Sequence, residues 1–247
     1  MHVPARWREA LLGSLMLGAT LVGCAGSSPT DGMAPPPANP GVVSYLALGD
    51  SYTIGEGVTP AGRWPNQLAS ALRAQHIQLG DPRIIATTGW TTDELAAAID
   101  ATDASAPLGH FGLVSLAIGV NNQYRGRDVG NYRLELTTLL ERAIGLAGGN
   151  PKHVLMLSIP DWGVTPFARD SGRDLKQIAD ELDAYNAAAQ ELCHAHGVAF
   201  VDISQASRKR GAQPTMLAAD GLHPSAAMYA EWTRLALPVA REALASK

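Results

Sequence analysis

Three residues near opposite ends of the 247-residue chain have the types and spacing for nucleophilic acyl chemistry: Ser51, Asp220 and His223. Ser51 stands in Gly49-Asp50-Ser51-Tyr52, directly after an apolar run. The glycine permits a tight turn, so the hydroxyl is presented just beyond a buried strand. A serine hydroxyl is a weak nucleophile alone; it needs a base, and the base needs an orienting group. Asp220-Gly221-Leu222-His223-Pro224 offers both, with the carboxylate three residues before the imidazole. One short turn can then hold one ring nitrogen on the carboxylate and leave the other for the serine. Pro224 stiffens that turn and biases His223 towards extended backbone.

Acyl transfer also needs donors for the negative charge that develops on the carbonyl oxygen. Two further segments place them at predicted strand exits. Thr88-Gly89-Trp90 brings a glycine amide that can approach a substrate closely, and Gly119-Val120-Asn121-Asn122 brings the Asn121 carboxamide. With the Ser51 amide they make three donors for one oxyanion hole. Trp90 and Trp162 each follow a strand exit, and the polar segment from Asn121 to Arg127 lies beside the same exits. Trp90, Asn122 and Trp162 are therefore expected to line the substrate cleft.

These blocks, Gly49-Asp50-Ser51, Gly89, Gly119-Val120-Asn121 and Asp220-x-x-His223, occur in the order of the SGNH (GDSL) hydrolase family, which the domain resembles along essentially its whole length. The resemblance implies Ser51 as nucleophile, His223 as base and Asp220 as its orienter. It implies an oxyanion hole from Ser51, Gly89 and Asn121, a small ester substrate, and neither metal nor organic cofactor. Two positions depart from the family pattern. Tyr52 stands where leucine is commonest, altering the packing behind the nucleophile. Asn122 replaces a frequent aspartate, so a supporting carboxylate becomes a carboxamide.

The elements that must position these residues follow from periodicity. Short apolar runs at 42–48, 83–86, 113–118, 153–157 and 198–202 suit strands covered on both faces, as in a parallel sheet. Helix-type segments at 64–75, 92–100, 132–147, 174–194 and 225–245 separate and follow them. Thr91-Thr92-Asp93-Glu94 reads as a capping box, and Leu175, Ile178, Leu182, Tyr185 and Ala189 recur at helical spacing. The pattern predicts a three-layer α/β/α sandwich with a five-stranded parallel sheet, flavodoxin-like in class. Ligands in such sheets sit beyond the carboxyl ends of the strands, where all four blocks fall.

The N-terminus reads as an address. Arg6 and Arg8 precede an apolar stretch at 10–22 that is short for a membrane span and fits a signal peptide over residues 1–23. It ends in Leu21-Val22-Gly23-Cys24, which resembles a bacterial lipobox, with Cys24 as the lipidated residue and membrane anchor. Ala25 after it resembles the outer-membrane sorting pattern, giving an exported lipoprotein of the cell envelope. Residues 24–40, with Pro35-Pro36-Pro37 and Pro40, read as a tether, and 41–247 as the hydrolase domain.

Composition excludes several alternatives. The net charge of −4 gives no footprint for nucleic acid, and Arg208-Lys209-Arg210 reads as a solvated loop. His194 and His196 are two apart and point to different faces of a helix, so Cys193 is expected to be a buried or half-buried structural thiol rather than a metal ligand. No Gly-x-Ser-x-Gly elbow, phosphate-binding glycine loop or dinucleotide fingerprint occurs. The reading is a serine esterase acting on small acyl or lysophospholipid-type esters through an acyl-enzyme. The alternatives are an acyltransferase with the same triad and a catalytically silent envelope glycan- or lipid-binding module.

Overall fold

The computed structural model describes residues 41–245. The signal segment, Cys24 and the tether lie outside the described residues.

Five parallel strands form one sheet in the order β2-β1-β3-β4-β5: β1 (Tyr45–Gly49), β2 (Arg83–Ala86), β3 (Leu113–Ala117), β4 (Val154–Leu157) and β5 (Ala199–Val201). The three central strands are buried at every position, whereas β2 and β5 expose part of their length at the edges. That is why the central runs are apolar throughout instead of alternating. The one polar side chain in the middle of β3, Ser115, is matched by Tyr45 Oη at 2.9 Å.

Nine helices appear among the described residues: α1 (Ser51–Ile54), α2 (Trp64–Ala74), α3 (Thr92–Ser105), α4 (Val120–Tyr124), α5 (Val129–Leu146), α6 (Pro166–Asp170), α7 (Leu175–His196), α8 (Ser204–Arg210) and α9 (Ala226–Ala245). Helix α2 packs on α9, while α5 packs on both α3 and α7. The first and last long helices thus share one face, and the three between them share the other. The sandwich matches the predicted class.

The long helices fall where periodicity places them. The capping box at Thr91 and Glu94 forms, starting α3. On α7, Ile178, Leu182, Tyr185 and Ala189 are buried, while Leu175 remains 39% exposed at the first turn. Cys193 is buried against Met156, Sγ to Sδ 3.7 Å, and burial pushes its thiol up to about 12. The basic run at 208–210 differs from the expected loop. It closes α8, where Arg208 pairs with Asp161 and Asp183 at 2.9 and 2.7 Å and Arg210 with Glu231 at 2.5 Å. Three carboxylates from separate elements bind those charges and make the segment part of the packing.

β1 lies between β2 and β3, and the chain leaves β1 and β3 towards opposite sides of the sheet. In the register, Gly49 faces Ala86 on one neighbour and Ala117 on the other. All three strands therefore end level, and the crevice of the topological switch opens above Gly49.

Candidate active site

Ser51 follows β1 by two residues. Gly49 is packed so closely that a Cβ there would overlap Thr53 Oγ1 and the Ala117 carbonyl, so the position before Asp50 needs glycine. Asp50 caps α1, its Oδ1 accepting from Tyr52 N–H at 3.0 Å. Ser51 is the first residue of that helix, where a backbone N–H has no intrahelical acceptor. Among the described residues no acceptor takes it. Asp50 itself is 1% exposed, and its Oδ2 meets no donor among the described residues. Burial raises its carboxyl to about 7 despite the Tyr52 N–H bond that opposes the rise.

The turn before α9 brings up Asp220 and His223. Asp220 Oδ1 accepts from Leu222 and His223 N–H at 2.9 and 3.0 Å, while Oδ2 lies 2.5 Å from His223 Nδ1. Partial burial pulls the Asp220 carboxyl up, but His223 and the two backbone donors outweigh it and bring the group down to about 2. Nδ1 is thereby the donor nitrogen, and Nε2 is left as the basic one. The turn is anchored on both sides. Ala218 N–H donates to the His223 carbonyl at 2.7 Å, and Phe167 N–H from α6 donates to Gly221 at 3.2 Å. His223 is 5% exposed and meets the Tyr52 ring edge-on at a centroid distance of 5.6 Å. The imidazole is therefore seated against the residue that follows Ser51.

Tyr52 continues the contact inward to Trp232 of α9, 5.9 Å away, and Trp232 meets Tyr229 at 5.0 Å. The tyrosine that replaces the family's usual leucine thus touches the candidate base directly, more than the expected change in background packing.

Two loops carry the other expected donors. After β2, residues 87–90 make a turn closed by Trp90 N–H to the Thr87 carbonyl at 3.3 Å, with Gly89 at φ +86°. Gly89 N–H has no acceptor among the described residues. After β3, α4 carries Asn121, whose Nδ2 gives one hydrogen to the Trp90 carbonyl at 2.9 Å. An amide nitrogen has a second hydrogen to give.

Two of the three expected cleft residues are corrected. Asn122 is fully buried; it accepts from Thr92 N–H at 3.1 Å and donates to Thr92 Oγ1 at 2.6 Å and Glu135 Oε2 at 3.3 Å. Trp162 is 2% exposed, with its indole N–H on Gln123 Oε1 at 2.9 Å. Both side chains satisfy their polar atoms inside the protein and have none left for a substrate. Trp90 remains partly exposed on the rim.

The polar segment at 121–127 does not face the cleft as a whole. Most of it ties α4 to the β2–α3 loop. Arg125 donates to the Gly89 carbonyl at 2.6 Å and to Glu94 at 3.1 Å, and Arg127 pairs with Asp93 at 2.7 Å. Arg127 as first cause, with Thr91 assisting, holds the Asp93 carboxyl down at about 2 against its partial burial. Glu135 of α5 gathers Thr92 Oγ1, Asn122 and Asn131, so the carboxylate missing at position 122 is supplied from another helix. The departure at Asn122 is the sequence signal that some other group has to brace this loop. Nothing in the spacing points to Glu135 or Arg125.

The sequence profile of the GDSL-like Lipase/Acylhydrolase family matches residues 47–231, from within β1 to within α9. The crystal structure of TesA is similar, with a TM-score of 0.62 and 18% identity over 79% of this chain and 97% of that one. A lipase/acylhydrolase from Enterococcus faecalis gives 0.58 and 22% over 80% and 94%. A variant of Axe2, an acetyl xylan esterase from Geobacillus stearothermophilus, gives 0.59 and 21% over 80% and 94%. No curated relative matches the sequence. The family profile spans Ser51, Gly89, Asn121, Asp220 and His223, and the neighbours share the sheet that positions them: the chain belongs to the GDSL-like lipase/acylhydrolase family and is a carboxylic ester hydrolase.

Proposed function

We propose that this hydrolase works by two-step acyl transfer with Ser51 as nucleophile. His223 Nε2 takes the Ser51 proton as Oγ attacks the ester carbonyl, and the resulting oxyanion is held by Ser51 N–H, Gly89 N–H and the second Asn121 amide hydrogen. His223 then protonates the leaving alcohol, which departs. Water, deprotonated by His223, attacks the acyl-serine and releases the acid. Asp220 stays ionised throughout and holds the imidazole on Nδ1. The reading rests on the 2.5 Å Asp220–His223 contact, seated against Tyr52 at the switch crevice.

The rim supports a short acyl group on a polar alcohol. Glu56, whose N–H donates to the Ser51 carbonyl at 3.0 Å, accepts from Thr88 Oγ1 at 2.5 Å, and both are exposed. Hydroxyl-rich ligands suit such a rim better than a long alkyl chain. The acetyl xylan esterase Axe2, of the same fold, acts on substrates of that kind. We further read Cys24 as the lipid-bearing residue that holds the domain at the cell envelope.

The test is hydrolysis of p-nitrophenyl esters from acetate to palmitate, with Ser51→Ala in parallel. Activity should peak at acetate or butyrate, and Ser51→Ala should lose about 10,000-fold or more in kcat. Parental activity in that variant would overturn the mechanism. A maximum at long chains would overturn the short-acyl reading and direct the next assay to lysophospholipids.

A further inference from the structure

We propose that Arg125 is a positioning residue for the oxyanion hole, acting through the Gly89 peptide; this rests on the donor assignment above. Arg125 is the first residue beyond α4, its N–H accepted by the Asn121 carbonyl at 3.0 Å. From there its guanidinium reaches the β2–α3 loop and the first turn of α3. Nη2 donates to the Gly89 carbonyl at 2.6 Å, and Nη1 to Glu94 Oε1 at 3.1 Å. Asn121 takes the next carbonyl along, that of Trp90, at 2.9 Å. Two consecutive peptides of the loop are therefore held by side chains from the two ends of one short helix. The same helix presents the Asn121 donor.

Trp90 packs against the core, but at Gly89 itself hydrogen bonds do the holding. Gly89 sits at φ +86°, and the nearest heavy atom to a Cβ built there is Arg125 Nη2 itself, at 3.8 Å. The Gly89 carbonyl lies in the Gly89–Trp90 peptide, one Cα away from the peptide that carries Gly89 N–H, so fastening it limits rotation at Gly89 and with it the swing of that N–H away from the substrate. A planar guanidinium with fixed donors can fasten the carbonyl and the Glu94 carboxylate at once; an ammonium cannot match both. Glu94 is in turn fixed by the capping box, its Oε2 accepting from Thr91 N–H at 2.9 Å. The clamp thus refers the Gly89 carbonyl to the start of α3 and to α4 together.

Stability and orientation come apart at this residue. The Arg125 and Glu94 side chains are 43% and 40% exposed. Such a pair adds little to global stability. The loss on removing it should appear in the transition state, where about 1 Å of misplacement can cost about 100-fold.

The experiment is steady-state kinetics on the full chain for Arg125→Met and Arg125→Lys, with thermal melts and with Ser51→Ala as control. Arg125→Met should lower kcat about 10- to 100-fold with KM within about twofold and the melting midpoint within about 2 °C. Arg125→Lys should recover part of the loss by reaching one of the two partners. Affinity for a short alkyl boronic acid, whose serine adduct is tetrahedral, should fall in parallel with kcat. Unchanged kcat in Arg125→Met would overturn the proposal, as would a kcat loss that follows a lower melting midpoint or leaves boronic acid affinity intact. Ser51→Ala with parental activity would instead fail the site itself, a result separable from any of these.

Discussion

Asp50 shows how a single residue can serve geometry at a thermodynamic cost. Its carboxyl caps α1 beneath Ser51, yet one oxygen has no donor among the described residues and burial lifts the group to about 7. An acid whose folded pKa exceeds its unfolded value of about 3.9 binds more protons folded than unfolded. Its contribution to stability is complete below about pH 4 and is lost as pH rises to about 7. Melts of the parent relative to Asp50→Asn should therefore diverge across that window, by about 1.4 kcal/mol for each tenfold difference in proton affinity between the folded and unfolded chain. Parallel curves would show that the carboxyl binds protons equally in the folded and unfolded chain. Residues at this scale are legible in proportion to how local their partners are. Asp220 and His223 are three apart, and the spacing alone places them in one turn. Arg125 bonds partners 36 and 31 positions away, and no pattern along the chain connects those segments.

Elements are more legible than the links between them. All five strands and five long helices sit within a few residues of the positions that periodicity gives, because burial on one or two faces is written into the order of apolar residues. The short helices α1, α4, α6 and α8 leave no such trace. Each has seven residues or fewer, too short for a periodic stripe, and three of them follow strands at the sheet's carboxyl edge. The link between α3, α4 and α5 is carried by Asn122 and Glu135, and it can be tested as a unit. Asn122→Asp restores the family's commoner residue but sets a buried carboxylate against the partly buried Glu135. It should destabilise the fold by about 2–4 kcal/mol. Adding Glu135→Gln should recover most of that loss, since one carboxylate then serves the site. Additive losses in a chemical denaturation cycle would mean that the two positions act independently.

At the scale of the whole molecule, the proposed anchor and the proposed chemistry lie in separate parts of the chain, 27 residues apart from Cys24 to Ser51. Cys24→Ala should move the protein from the membrane pellet to the soluble fraction with its turnover unchanged. A fall in turnover would show that the leader segment contributes to the domain. The domain itself closes on its own beginning, since α9 packs against α2 and carries the Asp220–His223 turn at its entrance. A ribosome or a translocon delivers Ser51 with the first strand and His223 only after the fifth. On the proposed mechanism, through all of that interval the chain is a serine without a base, and any product that stops short of the Asp220 turn should be inert. The order of the sequence thus acts as a timer that releases esterase activity only once the whole sheet is there to hold it.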